Sequence, residues 1–344
     1  MTADPDTYFR DKNILITGGT GSFGQACATY LLQKNVCNKV IIFSRDELKQ
    51  WQMRQNNPLF DHPKIRYFLG DVRDKERLVR AFHDVNIVIH AAALKQVPAA
   101  EYNPSEFIKT NVTGAMNIID AAIDAGVERV IGLSTDKAVN PVNLYGATKL
   151  CSDKLLVAGN SYVGKRGYPT FSVVRYGNVL GSRGSLLPRW QALLDRGATK
   201  LPITDVRMTR FWITLKQAVE FVISRAPQAI GGEIFIPKSP SVKIVDLAKA
   251  FAPNASQEIC GIRPGEKVHE LLLSQDDARQ SFDTKDAYVV TPLIPSKAYQ
   301  HYANQSSCKR LPEDFVLASD TNPLFCSSIE KIKELIAEVG AKEE

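Results

Sequence analysis

Between residues 134 and 149 the chain reads STDKAVNPVNLYGATK. Tyr145 and Lys149 stand four residues apart, so on a helix they share one face. A cation on that face lowers the pKa of the phenol. The phenol can then take a proton from a hydroxyl while hydride leaves the same carbon. Thr135 can donate a hydrogen bond to the oxygen that becomes a ketone. Asp136 and Lys137 add a carboxylate and an amine beside it. Beyond a new ketone the neighbouring C–H is acidic, so a base can remove that proton while an acid protonates a departing hydroxyl. Lys137 as the base needs a depressed pKa, and desolvation together with a nearby positive ring pushes it that way. The same two residues also fit a salt-bridged loop.

A hydride needs an acceptor. TGGTGSFG places Gly18, Gly21 and Gly24 in a G-x-x-G-x-x-G pattern between an apolar strand and a helix. Glycines let a backbone approach a pyrophosphate, and the helix N-terminus supplies N–H donors and a positive dipole. The pattern therefore reads as a dinucleotide site. The second strand ends IIFSRDELK. Ser44 and Arg45 come first and Lys49 follows one turn later, which favours the 2′-phosphate of NADP. Asp46, placed on the ribose, would favour NAD instead. In GDV, Asp71 can meet the adenine amino group with Val72 against the ring, or Asp71 can cap the helix DKERL. HAAALK ends a further strand, with Lys95 directed at phosphate or substrate and His90 read as a core histidine.

These residues need a scaffold. NILIT, KVIIFS, IRYFL, VNIVIH, RVIGLST and TFSVVRY are apolar runs that alternate with helical stretches. EFIKTNVTGAMNIIDAAIDAGV reads as one long helix ending near Gly126. Such alternation predicts an α/β doubly wound parallel sheet of Rossmann type, with a smaller mixed C-terminal domain. The expected division is an NADP-binding domain over 1–180, with 207–228 packing back on it, and a substrate-binding region over 181–344. The last part of the chain carries little signal beyond a closing helix, SSIEKIKELIAEV.

The net charge is +6 over 344 residues, and basic residues form no run of five. This argues against nucleic acid as a partner and suits phosphorylated ligands. The six cysteines include no C-x-x-C, as expected of reduced thiols in a cytoplasmic protein. The polar start MTADPDTYFRDKN lacks a signal core, and no apolar stretch is long enough to suggest a membrane span. No metal site is expected.

TGGTGSFG, GDV, HAAA, YGATK and RYGNV together resemble the extended short-chain dehydrogenases/reductases that act on nucleotide sugars. SRDELK, HAAALKQVP, EYNP, NLYGATKLCSDK, GSRGS, PITDVRMTRFWIT and IRPGEKVHE extend this to configuration-inverting UDP-N-acetylglucosamine 4,6-dehydratases, over most of residues 13–273. Gln96 departs from the family, which carries His there. The resemblance implies C4 oxidation, loss of water across C5 and C6, return of hydride to C6 from a recycled NADP, and inversion at C5. It implies Thr135, Asp136, Lys137 and Tyr145 as the catalytic set, with Asp136 the acid and Lys137 the C5 base. It assigns Thr20, Gly21, Ser22, Phe23, Ser44, Arg45, Asp46, Glu47, Leu48 and Lys49 to the cofactor. Asp71, Val72, Ala91, Lys95, Thr110, Asn111, Tyr145, Lys149 and Val179 complete that set. It assigns Lys95, Asn178, Arg183, Arg210, Arg263 and Glu266 to UDP-N-acetylglucosamine, and arginine forks do suit a diphosphate. It further implies a homo-oligomer, a hexamer being the suggested state, and a place in pseudaminic acid synthesis for flagellin or surface glycan. Retaining relatives share Thr-Asp-Lys but often carry Met at the position of Tyr145. A C5-retaining dehydratase and a UDP-sugar 4-epimerase are the alternatives. A dinucleotide-sensing module would need neither Tyr145 nor the Asp-Lys pair.

Overall fold

The computed structural model describes residues 5–293 and 296–340. The outer limits of the two expected domains, 1–4 and 341–344, lie outside the described residues, as does the start of the polar N-terminal segment. Six apolar runs form parallel strands: β1 (Asn13–Thr17), β2 (Lys39–Ser44), β3 (Ile65–Leu69), β4 (Ile87–His90), β5 (Arg129–Thr135) and β6 (Thr170–Tyr176). Their spatial order is 3-2-1-4-5-6 within a ten-stranded sheet. The order reverses between β1 and β4, and ligands of doubly wound sheets bind beyond the C-terminal strand ends at such a point. β1, β4 and β5 are buried along almost their whole length, which explains their continuous Ile/Val composition.

Helices cover both faces. On one face, Ser22–Gln33 and Leu215–Arg225 pack through Leu31, Val219 and Val222 onto Ile14, Ile16 and Ile42. On the other, Lys75–Ala81, Gly114–Ala125 and Leu144–Gly159 bury Leu78, Ile118 and Leu156 against Leu15, Val88 and Val130. The long helix expected before Gly126 is interrupted. Ile108–Thr113 forms a π-helical turn, and Gly126, at φ 71°, closes the helix after it. Such turns re-aim side chains and recur at functional sites.

The sheet crosses the boundary expected at residue 180. Ile234–Pro237 pairs in parallel with β6, Ala287–Val290 then pairs antiparallel with Ile234–Pro237, and Ser281–Asp283 and Lys309–Arg310 extend the edge. Short antiparallel strands separated by turns carry weak periodicity, so the sequence leaves them unmarked. The remainder of the C-terminal half has its own core of Trp190, Leu201, Met208, Trp212 and Leu247. Ile329–Gly340 packs its Ile332 into that core.

Candidate active site

β5 ends on Thr135, and a 3-10 turn over Asp136–Ala138 follows at once. The Thr135 hydroxyl donates to Asp136 Oδ1 at 2.8 Å, and Lys137 Nζ donates to the same oxygen at 3.0 Å. Asp136 is 0% exposed. The next helix, Leu144–Gly159, is capped by Asn143, whose side chain accepts from Gly146 N at 2.8 Å. It docks tightly on the turn: a Cβ on Gly146 would lie 2.1 Å from the Lys137 carbonyl oxygen. The glycine of YGATK is thus what brings Tyr145 beside Asp136 and Lys137.

Lys137 has a second acidic partner, Glu270 Oε1, at 3.2 Å. Glu270 is 2% exposed and comes from the start of the Leu271–Leu273 strand region. Burial pushes the Lys137 ammonium toward neutrality, but Asp136 and Glu270 outweigh it and its pKa is raised. This corrects the expected depressed lysine: partner carboxylates, not desolvation, decide the sign. Tyr145 is pushed by burial up to about 12, with Lys137 and the Thr135 hydrogen bond acting downward. The cation that eases Tyr145 ionisation in this structure is therefore Lys137, where Lys149 was expected.

Lys149, 4% exposed, sits beside a different cluster. Ser134 Oγ donates to Asp153 Oδ2 at 2.7 Å, and Arg175 reaches the same oxygen at 3.4 Å. Burial lowers the Lys149 pKa and Asp153 only partly offsets it.

At the glycine turn, Gly18 takes φ 65°, and a Cβ there would stand 2.9 Å from the Ala92 backbone. This close approach brings the β1 and β4 ends together. Thr17 Oγ1 accepts from the amides of Ala91 and Ala92 at 3.1 and 3.2 Å, so its proton goes to His90 Nδ1 at 2.8 Å. His90 is a satisfied core residue. Gly21 caps the Ser22–Gln33 helix without a side-chain acceptor, leaving its first amides open. An open helix N-terminus over a glycine turn fits the diphosphate of a dinucleotide.

Asp46 caps its own helix, accepting from Lys49 N at 3.0 Å and pairing with Lys49 Nζ at 2.8 Å. Glu47 and Leu48 form the first turn of that helix, and Ser44 accepts from Gln50 at 3.0 Å. Asp71 holds Arg73 at 2.7 Å and lies 3.9 Å from Arg45. Val72 is buried against Gly114. Thr110 and Asn111 lie in the π-helical turn. Asn111 clamps the backbone of Leu94 with two hydrogen bonds of 2.9 Å and donates to Thr148 at 3.0 Å, tying the Lys95 loop to the Tyr145 helix.

A cleft of about 630 Å³ gathers most of the expected residues. Gly18, Gly21, Ser22, Phe23, Gly24, Ala91 and Lys95 line it with Thr135, Lys137, Tyr145 and Lys149. Asn178, Val179, Arg183, Arg210, Arg263 and Glu266 also face it. Thr20, Asp136, Thr110 and Asn111 are not part of the lining, and Ser44 to Lys49, Asp71 and Val72 stand apart along the β2 and β3 ends. Arg183 lies against the glycine turn: its guanidinium donates to the Thr20 carbonyl, its amide to Ser22 Oγ at 3.1 Å, and its carbonyl accepts from Lys95 at 3.2 Å. Arg210 spends its fork on the carbonyls of Thr209, Val268 and Lys267 at 2.7–2.9 Å. Arg263 pairs with Glu266. Asn178 Oδ1 is buried without a partner.

The family of polysaccharide biosynthesis proteins matches residues 14–292. The chain belongs to this family. A UDP-N-acetylglucosamine 4,6-dehydratase (inverting) from Campylobacter jejuni is 53% identical, over 94% of this chain and 97% of that protein. A UDP-glucose 4-epimerase from Rickettsia rickettsii is 40% identical, over 95% and 96%. Pen from Bacillus thuringiensis superposes with a TM-score of 0.86 at 35% identity, covering 96% of this chain and 98% of that one. The fold brings to the centre two residues that the motifs in the sequence had not marked, Glu270 and Asp153. Glu270 belongs to the quoted run IRPGEKVHE, yet nothing local ties it to Lys137. Asp153 lies one turn beyond Lys149, and that i,i+4 spacing was a usable signal.

Proposed function

We propose that the protein is an enzyme, a nucleotide-sugar 4,6-dehydratase that converts UDP-N-acetylglucosamine to UDP-2-acetamido-2,6-dideoxy-β-L-arabino-hex-4-ulose, with inversion at C5. The observation that carries this is Lys137 Nζ at 3.0 Å from Asp136, in the same cleft as Thr135 and Tyr145. The Campylobacter jejuni relative supports the substrate and the stereochemical outcome.

A bound nicotinamide would supply reversible two-electron chemistry, oxidising C4 and later reducing C6 with no net change. Tyr145 takes the proton of the C4 hydroxyl, and Thr135 orients that oxygen. Lys137 holds the proton of the resting pair. Substrate in the cleft excludes water, and exclusion favours the neutral pair over the ionic one. Moving the proton from Lys137 to Asp136 leaves a free amine and a carboxylic acid, the two forms that the elimination needs. The amine takes the C5 proton, the acid protonates the C6 hydroxyl, and water leaves as the C5–C6 double bond forms.

The cofactor reading is NADP. It is supported by Arg45 at the β2 end and by Asp46, whose carboxylate is engaged with Lys49 as a helix cap. Asn178, Arg263 and Glu266 are offered to the nucleotide diphosphate and ribose, with Lys95, Arg183 and Arg210 around them. A homo-oligomer and a role in pseudaminic acid synthesis in the cytoplasm complete the reading. No helix among the described residues is long and apolar enough to cross a membrane.

The Rickettsia relative favours one rival, a 4-epimerase. Proton NMR of the protein with UDP-N-acetylglucosamine in D2O separates them. The expected product is a 4-keto-6-deoxy sugar of arabino configuration with deuterium at C5. Lys137→Ala should slow its formation by about 10²–10⁴-fold. Wild-type rates in that variant, or a C4 epimer as product, would remove the dehydratase reading.

A further inference from the structure

We propose that Glu270 is a positioning residue for the elimination: its carboxylate, delivered from the C-terminal half, holds the Lys137 amine against Asp136 and sets where their shared proton rests. This rests on the dehydratase reading above. Three observations carry it. Glu270 Oε1 lies 3.2 Å from Lys137 Nζ, nearly matching the 3.0 Å to Asp136, so the amine is bracketed rather than tethered. The Glu270 backbone is anchored without its side chain, since its amide donates to Ser319 Oγ and its carbonyl accepts from Ser319 N, both at 2.9 Å. Arg210 fastens the same segment through the Lys267 and Val268 carbonyls at 2.9 Å. The scaffold therefore fixes the segment, and the Oε1 of a 2%-exposed carboxylate meets Lys137 at 3.2 Å, closer than Arg210 Nε at 3.8 Å.

Its Oε2 has no hydrogen-bond partner, and Lys267 approaches it only to 4.0 Å. A buried anion is costly without charged partners, and Lys137 is nearer to this one than either Arg210 or Lys267. Glu270 thus keeps Lys137 protonated until the cleft is filled, which prevents a free amine from meeting water or a wrong ligand. The charged and titratable groups facing Lys137 are Asp136, Glu270, Arg210, Tyr145, Lys95 and Lys267. Among these only Asp136 and Glu270 favour the ammonium strongly.

The test is competitive acylation of Lys137, whose side chain is 25% exposed, read by peptide mass spectrometry from about pH 7 to about pH 11. In Glu270→Gln the Lys137 profile should move down by about one pH unit or more. Glu270→Asp, which keeps the charge one methylene further back, should fall between that variant and the parent. This readout needs no substrate, so it stands apart from the dehydratase reading. With UDP-N-acetylglucosamine, Glu270→Gln loses the 3.2 Å contact that aims the amine, and this should lower kcat about tenfold even though the free amine then forms more readily, with KM within about twofold; Glu270→Asp should recover part of the loss. An unmoved Lys137 profile, or an unchanged or raised kcat, overturns the proposal. If the Gln variant fails to fold, the shift in Glu270→Asp decides.

Discussion

Lys137 and Lys149 lie on one stretch of chain, both withdrawn from bulk water, and are pushed in opposite directions. Lys137 is raised because two carboxylates meet one amine at 3.0 and 3.2 Å. Lys149 is lowered by burial, which the one acid acting on it, Asp153, offsets only in part; Asp153 also accepts from Ser134 at 2.7 Å and meets Arg175 at 3.4 Å. Desolvation acts on both; two facing acids against one separates them. One lysine is built to hold a proton and the other to release one readily.

The comparison can be broken at its second cluster. Asp153→Asn removes the one anion beside Lys149 and leaves Arg175 buried with half its pairing. Loss of one partner of a buried ion pair costs about 3–5 kcal/mol, so urea midpoints should fall sharply. Retained stability would mean that Asp277, which holds Arg175 at 3.1 Å, suffices alone. A smaller effect sharpens the first cluster. Gly146→Ala sets a Cβ against the Lys137 carbonyl, and overpacking of this kind costs about 1–3 kcal/mol. Because the turn carrying Lys137 must move, kcat should fall while cofactor affinity holds. Equal losses in both would show that Tyr145 and Lys149 moved together with the turn.

His90 gives the most local readout, small at any one pH step. Burial first, then the Lys149 charge, holds its pKa down at about 3. A depressed histidine contributes stability that is fully present above its unfolded pKa of about 6.5 and is lost as pH falls from there toward 3. The expected slope is about 1 kcal/mol per pH unit, measured by denaturation at successive pH values. Lys149→Met should raise the His90 pKa in an NMR titration. An unchanged value would mean that Lys149 is already neutral.

The alternation of strands and helices, the glycine turn and the Tyr145–Lys149 face were legible because each is a local pattern. Parallel buried strands read as Ile/Val runs, and a helix repeats its face every turn. Asp136 and Lys137 were legible for the same reason, since neighbours in sequence are neighbours in space. The edge strands over 281–310 were not, being short and without a clean period. Arg183 and Arg210 were read as forks for a diphosphate, whereas their guanidinium groups also fasten the glycine turn and the segment before Glu270. An arginine's type announces what it can bind, not which carbonyls reach it first.

The sequence by itself determined a dinucleotide-binding sheet and a Thr-Asp-Lys-Tyr centre at the end of its fifth strand. Tertiary structure alone decided the charge state of that centre. Glu270 reaches Lys137 only after the C-terminal half has folded back onto β5, and the Arg210 anchor completes that placement. The physical reason is that a buried amine feels two opposed effects of similar size. Local sequence supplies the burial and one carboxylate, while the second carboxylate that opposes burial is set by chain folding.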